Sequence, residues 1–138
     1  MNKINWGRVL LGGIVAGLVM NIVEYVFHTY VIGGQETAAM SSLNAHMMNG
    51  AIPVFLALGF VQGIVTIWLY AAARPRYGGS AGTAVIIAIG VWILAYAIPG
   101  IGVAFEGLYP MHLTCVALVV GLVEAIVATI AGAALYKE

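Results

Sequence analysis

Charge is the scarcest property of this sequence. Of its 138 residues only 7% are Asp, Glu, Lys or Arg, while 63% are hydrophobic. A typical soluble domain carries roughly 25% charged residues, so lipid, not water, is the solvent that most of this surface meets. There are five Lys and Arg residues and the net charge is zero. That leaves no basic stripe to neutralise phosphates, and it excludes a nucleic-acid partner. A single cysteine, Cys115, excludes an internal disulfide, dithiol redox chemistry of the quinone-linked kind and a cysteine-rich zinc site. Glycine-rich phosphate loops, a nucleophile elbow and zinc-protease spacing are absent as well. The reading therefore leans away from an enzyme. Ser41 and Ser42 with His46 nearby are too slight a pattern to reverse it.

What the sequence has in quantity is long apolar runs. Four stand out: Gly7 to Ile32, Ile52 to Ala73, Ala81 to Ala104 and Met111 to Leu135. Each reaches the ~20 residues that a bilayer-crossing helix needs. None carries the polar stripe of a soluble bundle helix. The length accommodates one domain. The expectation is an all-α, polytopic membrane protein, a four-helix up-down-up-down bundle filling residues 1–138. Lys3 and Arg8 precede the first run as they would in a signal peptide. The run continues through Tyr25, Phe27 and Tyr30 with no small-residue cleavage pattern, so it reads as a retained first span.

The basic residues orient the bundle. Lys3 and Arg8 precede the first span, Arg74 and Arg76 separate the second from the third, and Lys137 follows the fourth. With alternating helices all five fall on one side, which the positive-inside rule makes the cytoplasm. Both termini are then cytoplasmic. Trp6, Trp68, Tyr70, Tyr77 and Tyr136 would mark the inner interface, and Tyr25, Tyr30, Phe55, Phe105 and Tyr109 the outer one. Arg74 to Gly79 reads as a tight inner turn, with Ser80 capping the third helix. Met40, Leu43 and Met47 fall at helical spacing and predict a short interfacial helix inside the loop from Gly33 to Gly50. Pro99 should kink or end the third helix. Pro110 suits the first turn of the fourth.

The residues that stand out chemically lie inside the spans. Gly13, Gly17, Asn21, Glu24 and His28 are spaced by four, four, three and four, which places them on one helix face, small at one end and polar at the other. Small residues there let a second helix approach closely. Glu124 lies about twelve residues from either end of its span, roughly 18 Å along the axis. Gln62 lies near the middle of the second span, and Tyr96 is the nearest polar residue on the third. Glu24, Glu124, Asn21, Gln62 and Tyr96 are thus expected to form one buried cluster that binds a small ligand, a proton or a cation. An acidic residue at mid-membrane costs about 2.5–3.5 kcal/mol, and no Lys or Arg lies at matching depth. Hydrogen bonding across helices would also account for these residues, as in a structural subunit of a membrane complex. A rival reading takes His28, His112 and His46, with the methionines and Cys115 near the outer side, as ligands for haem or copper. Gly59 to Val65 resembles Gly121 to Val127, which aligns Gln62 with Glu124 in two candidate parallel hairpins. The small residues Gly121, Ala125, Ala128 and Gly132 would also suit a homodimer contact.

Asn5-Trp6 ahead of the first span, and the run from Trp68 through Arg74-Pro75-Arg76-Tyr77-Gly78 that closes the second, resemble a family of small bacterial four-helix membrane proteins with no assigned activity. The resemblance runs the length of the chain. It implies the same four-helix fold, a bacterial source and a place in the inner (cytoplasmic) membrane. The small size and the first-helix glutamate are also similar to the small multidrug exporters, although the aromatic-and-alanine pattern before their glutamate is not found here.

Overall fold

A computed structural model describes residues 3–138. Among them, four helices are long and apolar enough to cross a membrane: α1 (Trp6–Val31), α3 (Ala51–Tyr77), α4 (Ala81–Phe105) and α5 (Met111–Ala134). A shorter helix, α2 (Gly33–Ser42), joins α1 to α3. The described residues contain no strand. The chain has the make-up of a multi-pass integral membrane protein, with Leu, Ile, Val and Phe side chains exposed along all four long helices.

The ends of these helices follow from local chemistry. Asn5 Oδ1 accepts from the Arg8 amide at the start of α1. Ser80 Oγ accepts from the Thr83 amide at the start of α4, as the sequence predicts. Pro110 stands just ahead of α5 in extended backbone, and its carbonyl accepts the Thr114 amide. The short helix differs from expectation. Only Ile32 separates α1 from α2, which stops at Ser42, so Met40 lies in it, Leu43 caps it and Met47 falls beyond. Asn44 takes a left-handed φ of 53°, and the Ala45 amide turns back to the Met40 carbonyl. That closure satisfies the terminal carbonyls and ends the helix before Met47 can join it.

Neither Pro75 nor Pro99 ends its helix. α3 continues through Pro75 to Tyr77. In the last turn, proline removes only one amide, and Gly78, at φ +84°, supplies the stop. The turn expected over residues 74–79 is therefore mostly helix. α4 accommodates Pro99 by widening before it: residues Ile93–Ala97 form a π turn, in which the Ile98 amide reaches back to Ile93. A π turn takes up the register that a missing amide disrupts. A second π turn, Phe27–Val31, ends α1.

The core is built on close helix approach. A Cβ at Gly17 would stand 2.7 Å from Phe60 Cα, and one at Gly13 would fall on the Ile64 backbone. One at Gly63 would fall on the Gly13 carbonyl and the Gly17 amide. Residue numbers rise along α1 as they fall along α3, so the two helices are antiparallel. Gly12 and Gly132 make the same backbone-to-backbone contact between α1 and α5. The small face of α1 thus packs inward, as its spacing predicts. The small face of α5 is used in the same way. Gly121, Ala125, Ala128 and Gly132 are all buried inside the bundle, so that face is not free for a second copy. Around these contacts Val9, Ala16, Met20, Ile67, Ala84 and Ala128 form an apolar cluster. Tyr70 and Tyr136 join this cluster edge to face, with ring centroids 6.1 Å apart. They are core residues, not part of a lipid-facing belt. The Arg74 guanidinium lies 5.5 Å from the Tyr136 ring centroid, and the Asn5 amide donates to the Tyr136 hydroxyl, which ties both chain ends to the α3–α4 turn.

Candidate functional site

Glu124 is the deepest charged residue, 1% exposed. Its Oε1 accepts a hydrogen bond from the Tyr96 hydroxyl at 2.9 Å, and that hydroxyl in turn accepts from Gln62 Nε2 at 3.0 Å. Three helices therefore meet on one phenol. The local sequence makes room for it. Tyr96 belongs to the π turn of α4, and its ring lies over Gly121, where a Cβ would stand 2.9 Å from the ring. Any side chain at 121 would push the phenol off Glu124, one turn further along α5. Gln62 and Glu124, the positions aligned by the sequence similarity between α3 and α5, flank the same hydroxyl.

The other carboxylate oxygen, Glu124 Oε2, is buried and has no donor among the described residues. The group within hydrogen-bonding reach of this carboxyl is a second carboxyl, Glu24 on α1. Two ionised carboxylates only repel. A proton between their oxygens turns the contact into a hydrogen bond, and a small cation there would offset the two charges.

Glu24 continues the chain of polar contacts. Its Oε2 lies 2.8 Å from His28 Nε2, and His28 Nδ1 lies 2.8 Å from Glu36 Oε2 on α2. The imidazole thus sits between two carboxylates from different helices. Its backbone lies in the π turn of α1, where the carbonyl packs against Gly33 so closely that no Cβ would fit there. Glu36 Oε1 accepts from the Tyr109 hydroxyl at 3.5 Å. Burial and the adjacent Glu36 carboxylate push the Tyr109 phenol up from 10.0 to about 12. A folded-state value above the unfolded one contributes stability below pH 10.0, and that contribution is lost as pH rises towards 12. The ultraviolet difference titration of wild type against Tyr109→Phe should place this phenol near 12. A midpoint at the ordinary tyrosine value would contradict the contact.

Four of the five residues expected in the cluster, Glu24, Glu124, Gln62 and Tyr96, do come together. Asn21 serves elsewhere: its Nδ2 donates to the Leu56 carbonyl at 3.1 Å, over Gly59, and fastens α1 to α3. The three histidines do not gather. Both ring nitrogens of His28 face carboxylates, His112 Nε2 lies 3.3 Å from Gln35 Oε1, and His46 is exposed in the segment after α2. Among the described residues no group of three or more His, Cys, Asp or Glu side chains is placed to hold a metal ion. Sequence reasoning did not assign Glu36 to the site. Beside the cluster a cleft of about 320 Å³ opens between α4 and α5, lined by Tyr96, Pro99, Gly100, Tyr109, Thr114 and apolar neighbours.

No protein-family model, curated protein or solved structure matches this chain.

Proposed function

We propose that the protein lies in a bacterial cytoplasmic membrane, with both termini on the cytoplasmic side. There it serves a binding or transport role by holding a proton, or a small cation in its place, at the Glu24–Glu124 carboxyl pair. The observation that carries this reading is the buried Glu124 oxygen without a donor, in a carboxyl that has a second carboxyl, Glu24, within reach. Structural glue satisfies its polar atoms. Here an amide at 124 would satisfy them better than the acid does, because its N–H would donate to Glu24. A glutamate that needs an added proton to complete its bonding is suited to gaining and losing one. Comparative potentiometric titration of wild type and Glu124→Gln in the same lipid should differ by one bound proton over the range in which the pair titrates. Coincident curves would remove the site.

The orientation is supported by Lys3, Arg8, Arg74, Arg76 and Lys137, which cluster at the bundle end where Asn5, Arg74 and Tyr136 meet. In a Cys115→Ser background, a cysteine at Tyr77 should resist membrane-impermeant reagent in intact cells, and one at Met48 should react. The opposite pattern would invert the assignment. No observation favours the haem or copper reading.

A further inference from the structure

The carboxyl pair is not equally connected to the two ends of the bundle. Towards α2, proton-carrying groups follow one another without a gap: Glu24, then His28 at 2.8 Å, then Glu36 at 2.8 Å, with Tyr109 against its second oxygen. Glu36 is 25% exposed beside the exposed Gln35 and Thr37, and the His28 and Glu24 side chains, 42% and 38% exposed, open at the same end of the bundle. In the opposite direction the packing is dry. Ala16, Met20, Ile67, Ala128 and Val9 are at most 2% exposed. Beyond Glu124 the Gly12–Gly132 backbone contact leaves no room even for a methyl group. The Tyr70, Thr83 and Tyr136 hydroxyls lie further on, towards the arginines; the two nearer the pair are each turned onto their own helix, Thr66 to the Gln62 carbonyl and Thr129 to the Ala125 carbonyl. Neither is free to pass a proton on.

We propose that, on the reading given above, the carboxyl pair exchanges protons with one side of the membrane only, through a relay in which Glu36 collects the proton and His28 delivers it. In the transfer a neutral His28 carrying its proton on Nε2 accepts a second one at Nδ1 from the Glu36 carboxyl. It then releases the Nε2 proton to Glu24. One proton has moved from Glu36, left as carboxylate, to Glu24, left as carboxylic acid, and the ring ends neutral with its proton on Nδ1. Return of the ring to the starting tautomer and reprotonation of Glu36 from water complete the cycle. The groups facing this path are Glu24 and His28 on α1, Glu36 on α2, Gln62 on α3, Tyr96 on α4, Glu124 on α5 and Tyr109 ahead of it. No Lys or Arg is among them. The one-sided path makes the bundle a half-channel in this conformation, closed at the arginine-bearing end.

The test is a pH jump on protein in lipid nanodiscs, where both faces meet the buffer, followed by the infrared band of protonated carboxyl groups. His28→Gln keeps a hydrogen-bonding side chain but cannot shuttle a proton. It should slow the appearance of the band about a hundredfold, the contribution expected of a positioned acid–base group, and leave its final amplitude unchanged. Glu36→Gln should slow it as well. Imidazole added to the buffer should restore the rate in His28→Ala, which a merely structural role for the ring would not allow. If His28→Gln and Glu36→Gln equilibrate at the wild-type rate while Glu124→Gln lacks the band, the relay is wrong and the binding site stands. If His28→Gln loses the amplitude itself, His28 belongs to the site and not to a route into it, which also overturns the relay. If wild type shows no titrating band, the site and its route fall together.

Discussion

Gly63→Val should prevent stable assembly of α1 against α3, with a loss of at least about 3 kcal/mol. The cost of overpacking is usually 1–3 kcal/mol where flexible side chains can move aside. Here an added Cβ meets the Gly13 carbonyl and the Gly17 backbone, which cannot move without separating the helices. Separation would also break the Asn21–Leu56 hydrogen bond and expose Gly59. Gly90 provides the control. It lies within α4, and nothing comes within 4 Å of a Cβ built there. Gly90→Ala should leave stability unchanged or raise it by about 0.5–1 kcal/mol, since alanine loses less backbone freedom in a helix. Chemical or thermal unfolding in detergent would measure both. Equal effects at the two positions would show that the close approach of α1 and α3 does not hold the bundle together.

Glu124→Ala should destabilise the bundle by about 3 kcal/mol, whereas Glu124→Gln should stay within about 1 kcal/mol of wild type. Alanine removes the acceptor of the buried Tyr96 hydroxyl, and an orphaned buried donor costs about 1–3 kcal/mol. It also leaves a cavity in a core whose glycine contacts cannot collapse to fill it. Glutamine keeps the acceptor, and its amide gains the Glu24 carboxyl as a partner for the oxygen position that lacks a donor in wild type. Hydrogen bonds inside membranes average about 0.6 kcal/mol, so the exchange is close to neutral. The contrast separates what the side chain does for packing from what its ionisable proton does. A glutamine variant as unstable as the alanine variant would mean that the acid itself holds the fold together.

Much of this arrangement is legible in the sequence, and the parts that are not share a physical cause. Hydropathy alone locates the four spans, because a lipid-facing helix must be apolar nearly all round. Depth along each span brings Glu124, Gln62 and Tyr96 near one level, with Glu24 about one turn nearer the outer side, since the rise per residue is fixed. Spacing along α1 gives its inward face. What spacing does not encode is how one helix is rotated against another. Asn21 shares a face with Glu24, yet it meets the Leu56 carbonyl, because Gly59 opens a gap beside it. Two π turns, at Phe27–Val31 and Ile93–Ala97, shift the register of His28 and Tyr96 relative to a regular helix. The second has a sequence signal in Pro99; the first has none that stands out. Glu36 was hidden for another reason. α2 folds back directly from α1, and only that return brings its carboxylate to the free nitrogen of His28. The sequence did hold one clue to a partner for Glu24. His28 lies four residues further along the same helix, in position for the contact that no lysine or arginine provides.

The central claim is that the Glu24–Glu124 pair holds an exchangeable proton inside the membrane. Infrared spectroscopy of the protein in lipid, titrated with pH in light and heavy water, reads this directly. A protonated carboxyl in a dry site gives a carbonyl stretching band distinct from those of amides and carboxylates, and the band shifts on deuteration. Wild type should show such a band, titrating reversibly, and Glu124→Gln should lack it while unfolding as wild type does. A band of equal amplitude in both proteins, or none in wild type at any pH at which the bundle is folded, would contradict the account.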